Sequence, residues 1–182
     1  SRHPRLRVVL EHVSTREGMA FALGGSERLG CTLTAHHLLF TLDDMLGGEL
    51  DPHLHCKPAL KGERDRKALR DAAFGSARGV FFGSDSAPHP RSAKEGGRAA
   101  SGVWSAPSAL CALATLFEAE GALDALAPFV AARGAAYYGL PPPRGTLELV
   151  REEWTVPPEL DGAVPMLAGR RLPWRLGRIS PS

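Results

Sequence analysis

Hydrophobic residues in this chain fall in short runs that are separated by polar and glycine-rich segments. Residues 5–13 (RLRVVLEHV) form a run of β-branched residues and leucines. Residues 30–40 (GCTLTAHHLLF) alternate polar threonines with apolar side chains at their start, and residues 79–83 (GVFFG) are almost entirely apolar. Short runs of this kind predict buried β-strands, so we expect three of them here.

Signals for helices lie between these runs. Ser14 followed three residues later by Glu17 forms a capping box, which predicts a helix over residues 14–23. Gly24 is expected to end it, because glycine is the preferred residue just beyond a helix. The spacing of charged residues predicts another helix over residues 64–73.

Two alanine-rich stretches predict the last helices, over residues 105–121 and residues 123–133. Pro107 suits the first turn of the former, where its missing N–H has no helical partner. Irregular segments, residues 41–61 and 86–105, follow the second and third predicted strands. Such loops commonly carry binding groups.

The order of these elements predicts the fold class. Strands that alternate with helices indicate parallel βα units. About three units are present, whereas a closed barrel of such units has eight in roughly 250 residues. An open doubly wound sheet is an alternative, although no glycine-rich phosphate-binding motif follows any strand. Beyond residue 139 the chain is proline-rich, with short strand-like pieces (LELVRE and LPWRLG).

Composition narrows the class of protein further. The chain has 182 residues, 43% of them hydrophobic, which is enough for one domain with a core. A net charge of +2 with scattered basic residues argues against a nucleic-acid partner. No apolar run approaches a membrane span of about 18 residues. Cys31, Cys56 and Cys111 form no CxxC pair, which fits a reducing compartment. We therefore expect a cytoplasmic protein.

The chain has no initiator methionine and enters a strand pattern almost at once, which suggests a piece of a longer protein.

Polar side chains with catalytic potential follow the predicted strands. His12 ends the first strand, His36 and His37 end the second, and Asp85 follows the third with His89 in the next loop. The carboxyl ends of parallel strands meet at one edge of a sheet, where α/β proteins place their sites. Imidazole and carboxylate are zinc ligands, and a carboxylate can also accept a proton. The pattern therefore suits a metal-assisted hydrolase.

Each of these residues alone is weaker evidence for a catalytic site than all of them together. A lone histidine at a strand end more often packs or forms a hydrogen bond, whereas His12 and Asp85 on nearby strand ends make a ligand role about equally expected. His53 and His55 form an HxH pair, but they lie in an irregular loop after Pro52. Their spacing favours a role in loop structure over metal binding.

Seven segments of the chain, taken in order, resemble the bacterial-type dihydroorotases over essentially its whole length. They are LEHVSTREG, LTAHHLLF, DPHLHCKPALK, GVFFGSDSAPHPRSAKE, SAPSAL, YYGLP and LELVREEW. GSDSAPH and HCKP are the most distinctive. The resemblance implies a (β/α)8 barrel of the amidohydrolase superfamily, of which residues 1–182 would be the C-terminal part, about strands six to eight and the tail. It also implies the reversible cyclisation of N-carbamoyl-L-aspartate to L-dihydroorotate in pyrimidine synthesis.

The resemblance assigns roles to five residues. His12 matches a ligand of the more exposed of two zinc ions. Asp85 matches a ligand of the more buried zinc that also takes or gives the proton during ring opening and closure. His89 matches a contact to the substrate carboxylate, and Ser101 matches a position that holds the same carboxylate through its backbone. Lys57 lies where main-chain groups hold the edge of the pyrimidine ring.

Part of the family's site is missing from the chain. The HxH pair of the first barrel strand, the carboxylated lysine that bridges the zinc ions, the fifth-strand histidine and the arginine and asparagine that bind substrate have no counterpart. In the family, neither the residues matching His36 and His37 nor those matching His53 and His55 bind zinc. Two zinc ions per complete site are therefore implied, with only His12 and Asp85 left to bind them here.

Three interpretations follow from this departure. The chain is the C-terminal half of a dihydroorotase, which alone would be inactive and would need an N-terminal-half partner. Alternatively, it is a catalytically dead relative with a binding or assembly role, or a hydantoinase-like amidase of the same superfamily. The first is favoured because His12, Asp85 and His89 are all retained, and HCKPALK and SDSAPH argue against the third. A homodimer is a further possibility that the resemblance raises.

Overall fold

The computed structural model describes residues 3–141 and 144–180. Three parallel strands, β1 (Val8–Leu10), β2 (Leu29–Leu33) and β3 (Val80–Phe82), form one sheet in the order β1-β2-β3. All three carboxyl ends lie at the same edge of this sheet. The predicted α/β class with parallel βα units is confirmed.

The first strand and the first helix begin and end differently from the prediction. β1 covers only the centre of the predicted strand, and α1 spans Arg16–Leu23. Thr15, and not Ser14, caps this helix, because the Thr15 hydroxyl accepts a hydrogen bond of 3.0 Å from the Gly18 N–H. The predicted capping box is therefore wrong, while the predicted end at Gly24 is confirmed.

The second half of the predicted second strand is a helix. β2 ends at Leu33, and α2 begins two residues later and spans Ala35–Leu39. Thr34 caps it, since the Thr34 hydroxyl accepts a hydrogen bond of 3.2 Å from the His37 N–H. His36 and His37 therefore lie on a helix just beyond the strand end. Both remain on the carboxyl side of the sheet.

The remaining helices are short apart from two. The predicted helix over residues 64–73 is confirmed, and Pro107 lies in a turn before its helix and not in the first turn as predicted. The helical segment after residue 123 is broken into three types of helix and extends beyond its predicted end. The bounds are α3 Leu42–Leu46, a 3-10 turn Pro52–Leu54, α4 Glu63–Phe74, α5 Arg91–Lys94, α6 Ala109–Ala119, a 3-10 turn Leu123–Ala125, a π-helical segment Pro128–Ala132 and α7 Arg133–Tyr138.

The C-terminal part of the chain forms two small antiparallel ribbons. Their strands are β4 Thr146–Val150, β5 Trp154–Thr155, β6 Arg171–Leu172 and β7 Arg175–Ser180. β4 pairs with β7, and β5 pairs with β6. The indole N–H of Trp174 donates a hydrogen bond of 3.0 Å to the Glu118 carboxylate and so ties this region to α6.

A line of phenylalanines connects the sheet to the helices. The ring of Phe117 on α6 meets Phe74 on α4 edge-to-face at 4.8 Å and stacks on Phe129 at 5.7 Å. Phe129 in turn contacts Phe82 of β3 at 6.1 Å. Aromatic pairs at these distances add to the stabilisation that comes from burial itself. Phe117 is therefore the central residue of the core.

Both outer edges of the three-stranded sheet are unpaired within the described part of the chain. Leu6, just before β1, is 59% exposed, and Val8 at the start of β1 is also exposed. Parallel sheets are normally covered and extended by further units, because open edges present unpaired backbone groups. The open edges are compatible with a partial barrel, which stays a prediction.

The three cysteines lie in the interior of the protein. Cys31, Cys56 and Cys111 are buried and free. Burial raises the pKa of Cys31 to about 12, so its thiol is unreactive at neutral pH.

Within residues 3–141 and 144–180, no helix combines the length and apolar character needed to cross a membrane.

Replacement of Phe117 by alanine should destabilise the chain strongly. We expect the Phe117→Ala variant to lose about 3–5 kcal/mol of unfolding free energy, because a fully buried ring leaves a cavity. The matched control is Phe21→Ala, since Phe21 is 66% exposed and should change the same quantity by less than about 0.5 kcal/mol. Urea unfolding followed by circular dichroism measures both. Equal losses would contradict the position of Phe117 in the core.

Candidate active site

Two non-glycine residues with left-handed backbone follow the outer strands of the sheet. His12 has φ 44° and Asp85 has φ 40°. Such conformations cost about 1–3 kcal/mol and persist where the surroundings fix them, often at functional sites. In the described part of the chain, neither the imidazole of His12 nor the carboxylate of Asp85 has a hydrogen-bond partner. Both groups are therefore available to a ligand.

The end of β2 fixes the backbone at His12. The His12 N–H donates to the Thr32 hydroxyl at 2.7 Å, and that hydroxyl donates to the Glu11 carboxylate at 2.6 Å. The Val13 N–H donates to the Thr32 carbonyl at 3.0 Å. A Cβ atom on Gly83 would lie only 2.7 Å from the Thr32 Cβ, so glycine is needed for this close approach. Thr32 thus contacts both neighbouring strand ends.

The backbone on either side of Asp85 is anchored to the loop before α6. The Ser105 hydroxyl donates to the Ser84 carbonyl at 3.2 Å. The Ala106 N–H donates to the Ser86 hydroxyl at 2.9 Å. These bonds fix the turn that carries Asp85, while its carboxylate stays exposed at the open edge of the site.

His89 and Ser101, which the sequence assigns to one carboxylate, are in direct contact. The His89 Nε2 lies 3.1 Å from the Ser101 carbonyl and must donate to it, because a carbonyl only accepts. This leaves Nδ1 of the ring for a ligand. Within the described residues the Ser101 N–H has no acceptor, and the same holds for the N–H of Lys57, whose carbonyl also has no donor. Free main-chain groups are what a backbone-mediated binding role requires.

The HxH pair contacts protein groups. The His53 Nε2 lies 3.1 Å from the Glu95 carboxylate, and the His55 Nδ1 donates to the Ala100 carbonyl at 3.3 Å. The His55 carbonyl also accepts a hydrogen bond of 2.9 Å from the Gly102 N–H. Each histidine therefore holds loop segments together.

A buried group of His36, His37 and Cys56 has potential ligand atoms within 4.8 Å of one another. His36 and His37 are neighbours in sequence and were noted at the end of the second predicted strand, whereas Cys56 lies 19 residues beyond His37. No spacing pattern links Cys56 to the two histidines, so the sequence did not predict the group. His37 already uses both ring nitrogens, one with the Thr34 hydroxyl at 2.8 Å and one with the Pro58 carbonyl at 3.0 Å. A metal ion would have to break one of these bonds, so the group is better suited to the core than to a metal.

Burial sets the charge state of this group. It lowers the pKa of His36 to about 3 and of His37 to about 4, mainly because a charged ring loses its hydration there. It also raises the pKa of Cys56. His36 is neutral at pH 7, and neither of its ring nitrogens has a partner among the described residues.

The chain by itself fits zinc only in part. Zinc sites in proteins use three or four side-chain ligands. His12 and Asp85 supply a nitrogen and an oxygen of the correct chemical type, and both are free. In residues 3–141 and 144–180, however, no group of three possible ligands includes either of them. A complete zinc shell would need ligands from outside this chain.

The curated proteins that are most informative about this chain are dihydroorotases. No model of a known protein family matches it. A curated Dihydroorotase of Halorhodospira halophila is 48% identical over 179 residues, which cover 96% of this chain and 52% of that protein. The chain therefore spans about half the length of the curated relatives that it matches.

Solved structures agree with this relationship. A crystal structure of dihydroorotase from Campylobacter jejuni superposes with a TM-score of 0.87 at 39% identity and covers 97% of this chain and 53% of that one. Dihydroorotase from Saccharomyces cerevisiae in complex with 5-fluoroorotic acid also gives 0.87, at 33% identity, with 98% and 53% covered. A D-hydantoinase from Thermus, at 14% identity and a TM-score of 0.78, shares the fold alone.

The buried histidines predict that acid destabilises the chain. In the folded state their pKa values lie near 3 and 4, below the unfolded value of 6.5, so the unfolded chain binds more protons below pH 6.5. Stability should therefore fall as the pH decreases from 6.5 to 4. The His36→Leu variant should reduce this slope by up to about 1.4 kcal/mol per pH unit.

Urea unfolding at several pH values measures the slope for both proteins. The internal control is the range from pH 7 to 8. His36 is neutral there in both the folded and the unfolded chain, so the His36→Leu variant should leave the slope of stability against pH unchanged. Identical slopes between pH 5 and 6 would contradict the burial of a neutral His36.

Proposed function

The chain is related to the dihydroorotases over nearly its whole length, and we propose that it is the C-terminal half of such an enzyme. The proposal depends chiefly on one observation: His12, Asp85 and His89 are retained at the carboxyl edge of one sheet in a chain 48% identical to a curated Dihydroorotase. The assembled enzyme would act on a cyclic amide. It would interconvert N-carbamoyl-L-aspartate and L-dihydroorotate in the cytoplasm, where free cysteines persist.

Asp85 is the proposed proton acceptor. Its carboxylate is exposed and free of hydrogen bonds to the described residues, so it can both bind a cation and take a proton from the attacking water. In ring closure it would return the proton. The anchoring of Ser84 and Ser86 keeps the carboxylate in place during this exchange.

His12 and Asp85 are the residues of this chain that would hold zinc. Zinc, when bound, would acidify the attacking water and polarise the amide carbonyl. The hydrogen bond from the His12 N–H to Thr32 fixes the backbone from which the imidazole projects. The remaining ligands would come from an N-terminal half, which would also pair with the open edges of the sheet.

His89 and the Ser101 amide would bind the substrate carboxylate. The His89 Nε2–H already donates to the Ser101 carbonyl, so His89 would donate to the carboxylate from Nδ1 as an imidazolium. This cation and the main-chain N–H would form charge-assisted hydrogen bonds with the anion. A backbone donor at Ser101 would make its side chain unimportant for this contact. Lys57 offers a free N–H and a free carbonyl, which are complementary to the C=O and N–H along the edge of a cyclic amide.

A second candidate is a catalytically dead dihydroorotase-like subunit with a binding or assembly role. Within the described residues, His12 and Asp85 belong to no group of three possible ligands and the sheet has two open edges, which favours this candidate over a chain that is active alone. The free state of the groups on Asp85, Ser101 and Lys57 favours the enzyme half, since a dead subunit has no need to keep them free. An activity measurement separates the two.

We expect the chain alone to show no dihydroorotase activity and to bind zinc weakly. Co-expression with the N-terminal half of the Halorhodospira halophila relative should restore ring opening of L-dihydroorotate, because that half would supply the missing ligands and strands. The fall in absorbance of the substrate measures turnover, and the N-terminal half alone is the control. Turnover by the chain alone, or none by the pair, would contradict the proposal.

Within the active pair, the Asp85→Asn variant should lower kcat by about 10²–10⁴-fold, the usual contribution of a positioned proton acceptor. Asp71→Asn is the matched control, since Asp71 lies exposed on α4 and pairs with Lys67. Its kcat should stay within about twofold, as expected of a surface ion pair. A small effect of Asp85→Asn would show that another group moves the proton.

A further inference from the structure

Lys94, at the end of α5, is a buried ammonium group without a carboxylate partner. It is 3% exposed, and its Nζ donates to the carbonyls of His55 at 2.9 Å, Ala100 at 3.0 Å and Gly102 at 2.7 Å. All three N–H donors of the ammonium are used. In the described part of the chain, no carboxylate lies within ion-pair distance of it.

A buried cation held only by carbonyls is costly. Burial disfavours the charged form and lowers the pKa of Lys94, while Cys56 and Asp51 act in the opposite direction. An apolar side chain at this position would avoid the cost of desolvation. The cost indicates that the three carbonyl contacts themselves serve a purpose.

The contacts fix the orientation of the peptide group between Ala100 and Ser101. This peptide is trans, so its C=O and N–H point in opposite directions. Because the Ala100 carbonyl faces Lys94, the Ser101 N–H faces away from Lys94. That N–H is the donor left free among the described residues. The cation also polarises the peptide and makes the N–H a stronger donor.

The rest of segment 100–102 is held just as firmly. The Ala100 carbonyl also accepts from the His55 Nδ1, and the Ser101 carbonyl accepts from His89. Gly102 has φ 150°, and a Cβ atom there would lie 2.6 Å from the Cβ of Ala87. Without the ammonium, the Ala100 and Gly102 carbonyls would lose the donor that they share, and the bond from the His55 Nδ1 would be left to hold the Ala100 carbonyl. The peptide between Ala100 and Ser101 would then be less firmly oriented.

We propose that Lys94 is a positioning residue that aims the Ser101 N–H, beside His89, at the carboxylate of the substrate. This inference deepens the proposed function and rests on it. Lys94 does not touch the substrate in this scheme. It determines carboxylate specificity through the backbone of segment 100–102.

Comparison of two substrates in the active pair tests the role. L-dihydroorotate carries the carboxylate, and 5,6-dihydrouracil lacks it. The Lys94→Met variant should raise the KM for dihydroorotate about 10–100-fold, as for a lost hydrogen bond to a charged group, and change kcat by less than about threefold. Its kcat/KM for dihydrouracil should change by less than about twofold. Lys67→Met, on the surface of α4, is the matched control and should change neither.

An equal loss of kcat/KM with both substrates would overturn the proposal, since a purely structural lysine would affect them alike. A crystal structure of the Lys94→Met chain gives a readout that does not depend on activity. We expect the peptide between Ala100 and Ser101 to turn or lose order, and an unchanged orientation would also overturn the proposal. If the unaltered pair fails to turn over dihydroorotate, the proposed function is contradicted. The crystal structure of the Lys94→Met chain would then decide the role of Lys94 by itself.

Discussion

The Thr32 hydroxyl at the end of β2 is the contact on which the geometry of the site depends. It accepts from the His12 N–H and donates to the Glu11 carboxylate, so one oxygen fixes both residues that follow β1. On its other side, the Thr32 side chain lies so close to Gly83 that any larger residue would push β3 away. The central strand therefore sets the separation of the two strand ends that carry His12 and Asp85. A serine could keep the hydrogen bonds but would lose the methyl contact with Gly83.

The second layer of the site is made of backbone groups and is held by buried side chains. His89 and Lys94 bind the carbonyls of segment 100–102, and among the described residues the Ser101 N–H has no acceptor. A site built in this way reads the charge and shape of a ligand through the main chain. If the proposed role is correct, such a site would tolerate substitutions at Ser101 but not at the residues that orient the peptide. In this proposal, specificity would depend partly on Lys94, a side chain that the ligand does not contact.

The sequence pattern predicted two kinds of element correctly. One kind is stabilised by contacts between residues close in sequence, such as α4, and the other has an uninterrupted apolar run, such as β3. The pattern was wrong at Thr34, where a side-chain cap turns a strand-like run of leucines into a helix, and at Ser14, where the neighbouring Thr15 has the geometry to cap. The candidate ligands were found because parallel strands bring their ends together. Lys94 was missed because its role depends on the directions of main-chain carbonyls, at His55 and in segment 100–102, and a residue pattern does not contain that information.

The distribution of chemistry along the chain follows from topology. Three consecutive parallel strands can deliver only their own ends and loops to the shared edge, and in the proposed function these would provide a proton acceptor, an anion site and two metal ligands. In the proposed enzyme, zinc would need one or two more ligands, and we expect them on strands beyond the open edges of β1 and β3. The same edges need hydrogen-bond partners for their backbone. A partner that pairs with the open edges would therefore complete the sheet, and it would also be placed to supply the missing zinc ligands.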